Sequence, residues 1–274
     1  MTKYTFFQPG DMLAGFPAPT IDESAIDLKS ITNQSARIGY YNYGQEPNLP
    51  IGAFDFKYTG WGFKKDSNPI LNSMSGEFEG DKVFSIEQFS VQVNDIQDTN
   101  LGFYSSAGYQ KLFAGNDEIY GSDGADKLAG GSGDDLLKGG IGNDHLYGDN
   151  GLDTIYGEDG GDFIIGGDGD DTLWGGKGAD LIYGQGGFNT FLWELDDNWD
   201  RIVISADGIT DVIYSLDAFD EIIVHGALSQ ELSFARMSEG IGVFARGVLE
   251  AMYLNDGTDL TAFDLSNMTR GELG

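Results

Sequence analysis

The chain has 274 residues, with 45 Asp and Glu against 15 Lys and Arg and a formal net charge of −30. That charge argues against nucleic acid and anionic membrane as partners, because it repels both. With no Cys and two His, zinc or copper ligation has almost nothing to work with.

In chain order, the opening MTKYTFFQPGDMLAGFPAPT has no sustained apolar stretch before Pro9, Gly10 and Asp11. It is expected to be neither a cleavable signal peptide nor a membrane span. Residues 1–111 read as a separate β-rich domain. The runs ARIGYYNYG (36–44) and GAFDFKYTGWGF (52–63) look like strands divided by Gly and Pro. In the second run Phe54, Phe56 and Tyr58 fall at period two, with Asp55 and Lys57 between them, the pattern of a strand with one buried and one wet face. SIEQFSVQVNDI (85–96) leaves two readings open: a helix with Ser85 as N-cap and Gln88 completing a capping box, or a strand, given its β-branched residues.

From Leu112 to Leu192 the chain divides into nonapeptides without slippage, the signature of a solenoid. The fourth position is always Gly: Gly115, Gly124, Gly133, Gly142, Gly151, Gly160, Gly169, Gly178 and Gly187. The sixth is Asp at Asp117, Asp126, Asp135, Asp144, Asp153, Asp162, Asp171 and Asp180, and Asn189 in the last unit. The eighth is large and apolar: Ile119, Leu128, Leu137, Leu146, Ile155, Ile164, Leu173, Ile182 and Phe191. Six residues of turn and three of strand put successive units on opposite sides of a two-sided coil. Units eighteen residues apart then stack directly, and the eighth position points inward.

Such a core is thin. One aliphatic side chain per unit contributes ~1.5–3 kcal/mol, against ordering entropy of ~1–2 kcal/mol for each residue. The stacked sixth-position carboxylates also repel one another unless a cation sits between them. A hard divalent ion with six or more oxygen ligands suits carboxylates and turn carbonyls, which is the chemistry of calcium; magnesium holds its water and demands octahedral geometry.

The consensus GGxGxDx(aliphatic)x resembles the RTX, or haemolysin-type calcium-binding, repeat. Residues 130–135 (GGSGDD), 139–144 (GGIGND), 166–171 (GGDGDD) and 175–180 (GGKGAD) match it fully, while 148–153 (GDNGLD) and 157–162 (GEDGGD) lack only the second glycine. The resemblance implies an all-β fold with a parallel β-roll. It implies ions held between turns of units n and n+2 by their aspartates and by backbone carbonyls. Carried onto this chain, the metal residues are the eight sixth-position aspartates and the fourth-position glycines Gly115 to Gly178. The pairs are Asp117 with Asp135, Asp126 with Asp144, Asp135 with Asp153, Asp144 with Asp162, Asp153 with Asp171, and Asp162 with Asp180. That is about six calcium ions. It also implies secretion from a Gram-negative cell by a type I route, using an uncleaved C-terminal signal, with the secretion machinery as a transient partner. The stretch SIEQFSVQVNDI (85–96), with YTGWGF (58–63) before it and the opening turn LFAGND (112–117) after it, is similar to a region found ahead of RTX repeats in small secreted bacterial proteins, which implies architecture and no activity.

Residues 193–274 are expected to form a β-rich cap carrying that signal, with strands at 200–205, 211–216, 220–226, 242–246 and 250–255; a solenoid needs a cap over its last open edge. On the outside of the roll, even units present His145, Tyr147, Phe163, Ile165, Leu181 and Tyr183. That face is expected to pack under the N-terminal domain or the cap. Odd units present Tyr120, Leu136, Lys138, Tyr156 and Trp174 with Thr154 and Thr172, a platform on which sugar rings can stack.

No HExxH motif occurs, which removes the metalloprotease that often accompanies such repeats, and no GxSxG motif occurs, which disfavours the lipases. His145 and His225 read as structural, no catalytic residue is selected, and no organic cofactor is expected. Two functional expectations follow: a secreted calcium-binding protein that interacts with surface or matrix polysaccharide, or an extracellular polysaccharide lyase or epimerase with its site in residues 1–111.

Overall fold

The computed structural model describes residues 114–194, 196, 198–216, 219–254 and 265–271 in full, and the backbone of 262–264, 272 and six strands ahead of the repeats. Those six are β1 (Thr2–Phe6), β2 (Ile26–Ile31), β3 (Ser35–Asn42), β4 (Gly52–Trp61), β5 (Ile70–Phe78) and β6 (Asp81–Gln92). β2 to β6 form an antiparallel meander, and β1 pairs antiparallel with β6. The segment that left helix and strand open is therefore strand through Gln92. Its β-branched and aromatic residues favour a pleated surface over the helix that the capping box permits. Residues 93–96 lie outside the described residues.

The repeats give β7 (Asp117–Tyr120), β8 (Lys127–Ser132), β9 (Leu136–Ile141), β10 (His145–Asn150), β11 (Thr154–Asp159), β12 (Phe163–Asp168), β13 (Thr172–Lys177), β14 (Leu181–Gly186) and β15 (Thr190–Leu192). Odd and even units fall into two different sheets, and every neighbour within a sheet is parallel and eighteen residues away. This is a parallel β-roll. Its strands outrun the three residues expected, because ladder pairing resumes past the first glycine of the next unit, as in Asp149 beside Gly167 and Asn150 beside Asp168.

The eighth position faces inward throughout: Ile119, Leu128, Leu137, Leu146, Ile155, Ile164, Leu173, Ile182 and Phe191 are all fully buried and form one core. The ladder does not stop at Leu192. β16 (Arg201–Ser205) and β18 (Glu221–Leu228) extend the even sheet, and β17 (Asp211–Tyr214) extends the odd one, all in parallel. Each begins at or directly after an aspartate, and the triplets Asp200-Arg201-Ile202, Asp211-Val212-Ile213 and Asp220-Glu221-Ile222 repeat the sixth-to-eighth pattern, with all three isoleucines fully buried. The coil thus runs on into the cap with longer connections.

The remaining elements are a 3-10 turn (Ser229–Glu231), β19 (Leu232–Arg236), β20 (Gly240–Ala245), β21 (Val248–Leu254), the helix α1 (Ala262–Met268) and β22 (Thr269–Glu272). β21 joins the odd sheet beside β17 and turns it antiparallel through β20 and β19, while β22 closes the even sheet on β18. At the other end β1 lies parallel to β7, with Tyr4 beside Ile119. The N-terminal strands therefore continue the odd sheet edge to edge. Among the described residues no helix is long and apolar enough to cross a membrane.

Candidate metal centre

The site is a column of aspartates, built by the turn that precedes each strand. The backbone N–H of each sixth-position residue donates to Oδ1 of its counterpart one turn of the coil later. Asp117 donates to Asp135 at 2.7 Å, Asp126 to Asp144 at 2.8 Å, Asp135 to Asp153 at 2.8 Å, Asp144 to Asp162 at 2.7 Å, Asp153 to Asp171 at 2.9 Å, and Asp162 to Asp180 at 2.7 Å. All six expected pairs are brought together, on two columns, one beside each sheet. The column continues where the sequence reading did not follow it: Asp180 N–H donates to Asp200 and Asn189 N–H to Asp211.

Two glycine positions let the column form. A methyl on Gly148, at the first position, would run into Oδ2 of Asp153 and the carbonyl of Gly166, and Gly130, Gly139, Gly157 and Gly166 repeat the relation. The carboxylate oxygen and a carbonyl from the next turn therefore converge where a side chain would otherwise stand. At the fourth position Gly133, Gly142, Gly151, Gly160, Gly169 and Gly178 have φ between 123° and 150°, and a methyl on Gly151 would overlap the Gly133 carbonyl. Both backbone conformation and close approach exclude Cβ there.

Fifth-position side chains also hold the stack. Asn116 accepts from Asp134 N–H, Asp134 from Leu152, Asn143 from Gly161 and Asp170 from Phe188. These residues were missed because their role depends on a neighbour eighteen residues away. The spacing of Asn or Asp at the fifth position in units 1, 3, 4 and 7 was the available signal.

The oxygens left over carry the chemistry. Oδ2 of Asp135, Asp144, Asp153, Asp162, Asp171 and Asp180 is buried and receives no hydrogen bond, although these residues are at most 3% exposed. Burying an anion without compensation costs several kcal/mol or more, and burial accordingly raises their pKa values. Asp153 and Asp180 are pushed up to about 8, Asp135 and Asp162 to about 7, and Asp144 and Asp171 to about 6. The N–H bond to Oδ1 opposes each rise and neighbouring carboxylates add to it. A cation at Oδ2 supplies the missing charge. Among the described residues no three His, Cys, Asp or Glu side chains gather, so an ion held here takes its further ligands from turn carbonyls. Such an all-oxygen donor set fits calcium. The residues that would hold it are the paired aspartates, with carbonyls of the glycine turns.

Outside the roll, the outward side chains line up on each sheet; on the even face, expected to pack under another domain, Tyr147, Phe163, Ile165, Leu181 and Tyr183 are half-buried and His145 is exposed. On the even sheet His145 and Phe163 have ring centroids 5.4 Å apart, Tyr147 and Phe163 6.2 Å, and Phe163 and Tyr183 5.7 Å. On the odd sheet Tyr156 and Trp174 are 5.6 Å apart and Lys138 Nζ sits 5.2 Å over the Tyr156 ring. The N-terminal strands attach through β1 to the odd sheet. A lyase or epimerase site in residues 1–111 falls on side chains outside the described residues.

A family model for the RTX calcium-binding nonapeptide repeat matches residues 114–137, 129–164 and 156–191. No curated protein matches the chain.

Proposed function

We propose that residues 114–191, which match the RTX calcium-binding nonapeptide repeat, bind calcium, and that calcium is the switch that folds the roll outside the cell, after export by a type I route. The observation that carries this reading is the line of buried, unpartnered Oδ2 atoms from Asp135 to Asp180. A roll that confines so many carboxylates needs a compensating charge, and an ion that binds only the folded state stabilises it by RT ln(1 + [L]/Kd). With dissociation constants of about 10⁻⁴ to 10⁻³ M for extracellular sites, ~10 mM calcium contributes roughly 1.4–2.7 kcal/mol at each site. Cytosolic calcium, below about 10⁻⁶ M, contributes almost nothing by the same relation. Calorimetric titration of the chain tests the reading: calcium should bind saturably at several sites and magnesium poorly. No binding, or equal binding of both ions, overturns it.

The role of the loaded roll is interaction with surface or matrix polysaccharide. Tyr156 and Trp174 stack along the odd sheet beside Lys138, Thr154 and Thr172, a spacing that suits sugar rings and, through Lys138, acidic ones. Retention of the calcium-loaded protein on immobilised acidic and neutral polysaccharides checks this. Tyr156→Ala and Trp174→Ala should each weaken retention about tenfold, in line with a lost aromatic contact. Unchanged retention in both contradicts it.

A further inference from the structure

Two rungs of the column differ from the rest in what surrounds the sixth-position side chain. At Asp126, Oδ2 accepts from the Ser122 N–H at 2.6 Å and from the Ser122 hydroxyl at 2.8 Å. Ser122 stands at the second position of its unit. The later units have Gly131, Gly140, Asp149, Glu158, Gly167, Gly176 and Gln185 there, all with positive φ, and Ser122 is not among the positive-φ residues. The turn at Ser122 is therefore folded differently, and it points two donors at the oxygen that Asp144, Asp162 and Asp180 leave unpartnered on the same side.

The other rung is Asn189, which is fully buried. Its Oδ1 accepts from Asp171 N–H at 3.1 Å, and this fixes the amide, since a flipped amide would aim its NH₂ at another N–H. Nδ2 then takes the place that the aspartates give to Oδ2. A methyl on Gly184 would meet Nδ2 of Asn189 just as one on Gly175 would meet Oδ2 of Asp180. That nitrogen donates to the Gly187 carbonyl at 3.3 Å. The Asn189 backbone N–H donates to Asp211 Oδ1 at 2.8 Å and opposes the rise in pKa that burial gives the Asp211 carboxyl. No atom of Asp126, Asn189 or Asp211 is left buried without a partner.

We propose that Ser122 and Asn189 are built-in ends of the calcium array, Ser122 where the even column begins and Asn189 near the far end of the odd one: the chain closes these two rungs with its own donors, and ions occupy the remaining aspartate pairs. The Ser122 donors supply to Asp126 the positive ends that a cation supplies elsewhere. A nitrogen donor in the Oδ2 place also repels a cation from the Asp171–Asn189 turn. Of the six aspartate pairs, Asp126 with Asp144 then holds no ion, and the β17 end of the odd sheet stays tied to the roll without calcium. This rests on the reading of the roll as a calcium site.

The test is the number of ions bound by the full chain at saturating calcium, measured by calorimetry, together with amide exchange of β17 in chelator. Asn189→Asp places a second carboxylate opposite Asp171 and should bind about one more ion. Its β17 amides should lose protection in chelator and recover it in calcium. Ser122→Gly restores the repeat sequence and frees Asp126, so it too should gain about one ion. Asp211→Asn keeps the Oδ1 acceptor, and its ion count should equal that of the wild type. Asn189→Asp or Ser122→Gly that is folded in calcium yet gains no ion overturns the end it probes, and loss of an ion in Asp211→Asn overturns the closure at Asn189. Wild-type chain that binds no calcium removes the underlying reading, and this inference with it.

Discussion

The backbone N–H of Asp135 donates to Oδ1 of Asp153 at 2.8 Å, while Oδ2 of Asp153 stays buried with no donor. One carboxylate thus does two jobs. Its first oxygen locks adjacent turns of the coil together, and its second waits for a charge that the protein does not provide. Stacking and ion binding are in this way properties of the same side chain.

An interior aspartate faces turns on both sides, whereas Asp117 begins its column. Asp153→Asn keeps an Oδ1 acceptor for Asp135 N–H and replaces the second oxygen by an amide, so the stack is retained and the ligand lost. It should remove about two ions and Asp117→Asn about one, counted by calorimetry. Equal losses would contradict the pairing of units n and n+2.

Gly148→Ala places a methyl against Oδ2 of Asp153 and the Gly166 carbonyl. The turn must open to admit it, which destabilises the roll by roughly 1–3 kcal/mol and moves the carboxylate away from its carbonyl partner. The midpoint of calcium-induced folding, followed by circular dichroism, should shift to higher calcium. A midpoint equal to that of the wild type would show that the first-position glycine is not needed for close approach.

Acid should replace calcium in part. The unfolded carboxyls titrate near pH 4, and those of Asp135, Asp144, Asp153, Asp162, Asp171 and Asp180 are raised to between about 6 and about 8 by burial. Between those values the folded roll holds more protons than the unfolded chain, so its stability without calcium is fullest below about pH 4 and is lost as the pH rises toward about 8. In chelator, acidification from pH 8 to about 5 should therefore increase β-structure in the roll. Apparent calcium affinity should fall over the same interval, because proton and ion compete for Oδ2. A roll in chelator whose structure is indifferent to pH would contradict this.

The period of nine made most of the roll legible. Each position repeats so often that its environment can be read from what it tolerates: Gly where carbonyl meets Cα, Asp where an N–H needs an acceptor, Leu or Ile where the core lies. The continuation through Asp200, Asp211 and Asp220 was hidden because the spacing widens. Asp180 reaches Asp200 after 20 residues and Asn189 reaches Asp211 after 22, against 18 within the repeats. Strict periodicity loses the register there, although the Asp-x-Ile triplets preserve it. Ser122 was illegible for a different reason. Its hydroxyl and N–H reach Asp126 through the local shape of one turn, which nine-residue averaging erases. At residues 85–92 a local capping pattern competed with β-branched content, and the pairing partners β1 and β5, distant in sequence, decided for a strand.

The measurement that tests the central claim most directly is hydrogen exchange of the amides of β9 to β14 in the full chain, read first in excess chelator at pH 7.5 and then through a calcium titration. Rapid exchange in chelator and a cooperative gain of protection at millimolar calcium are expected, with magnesium a poor substitute. Protection of those strands that is complete in chelator and unchanged by calcium would contradict that claim.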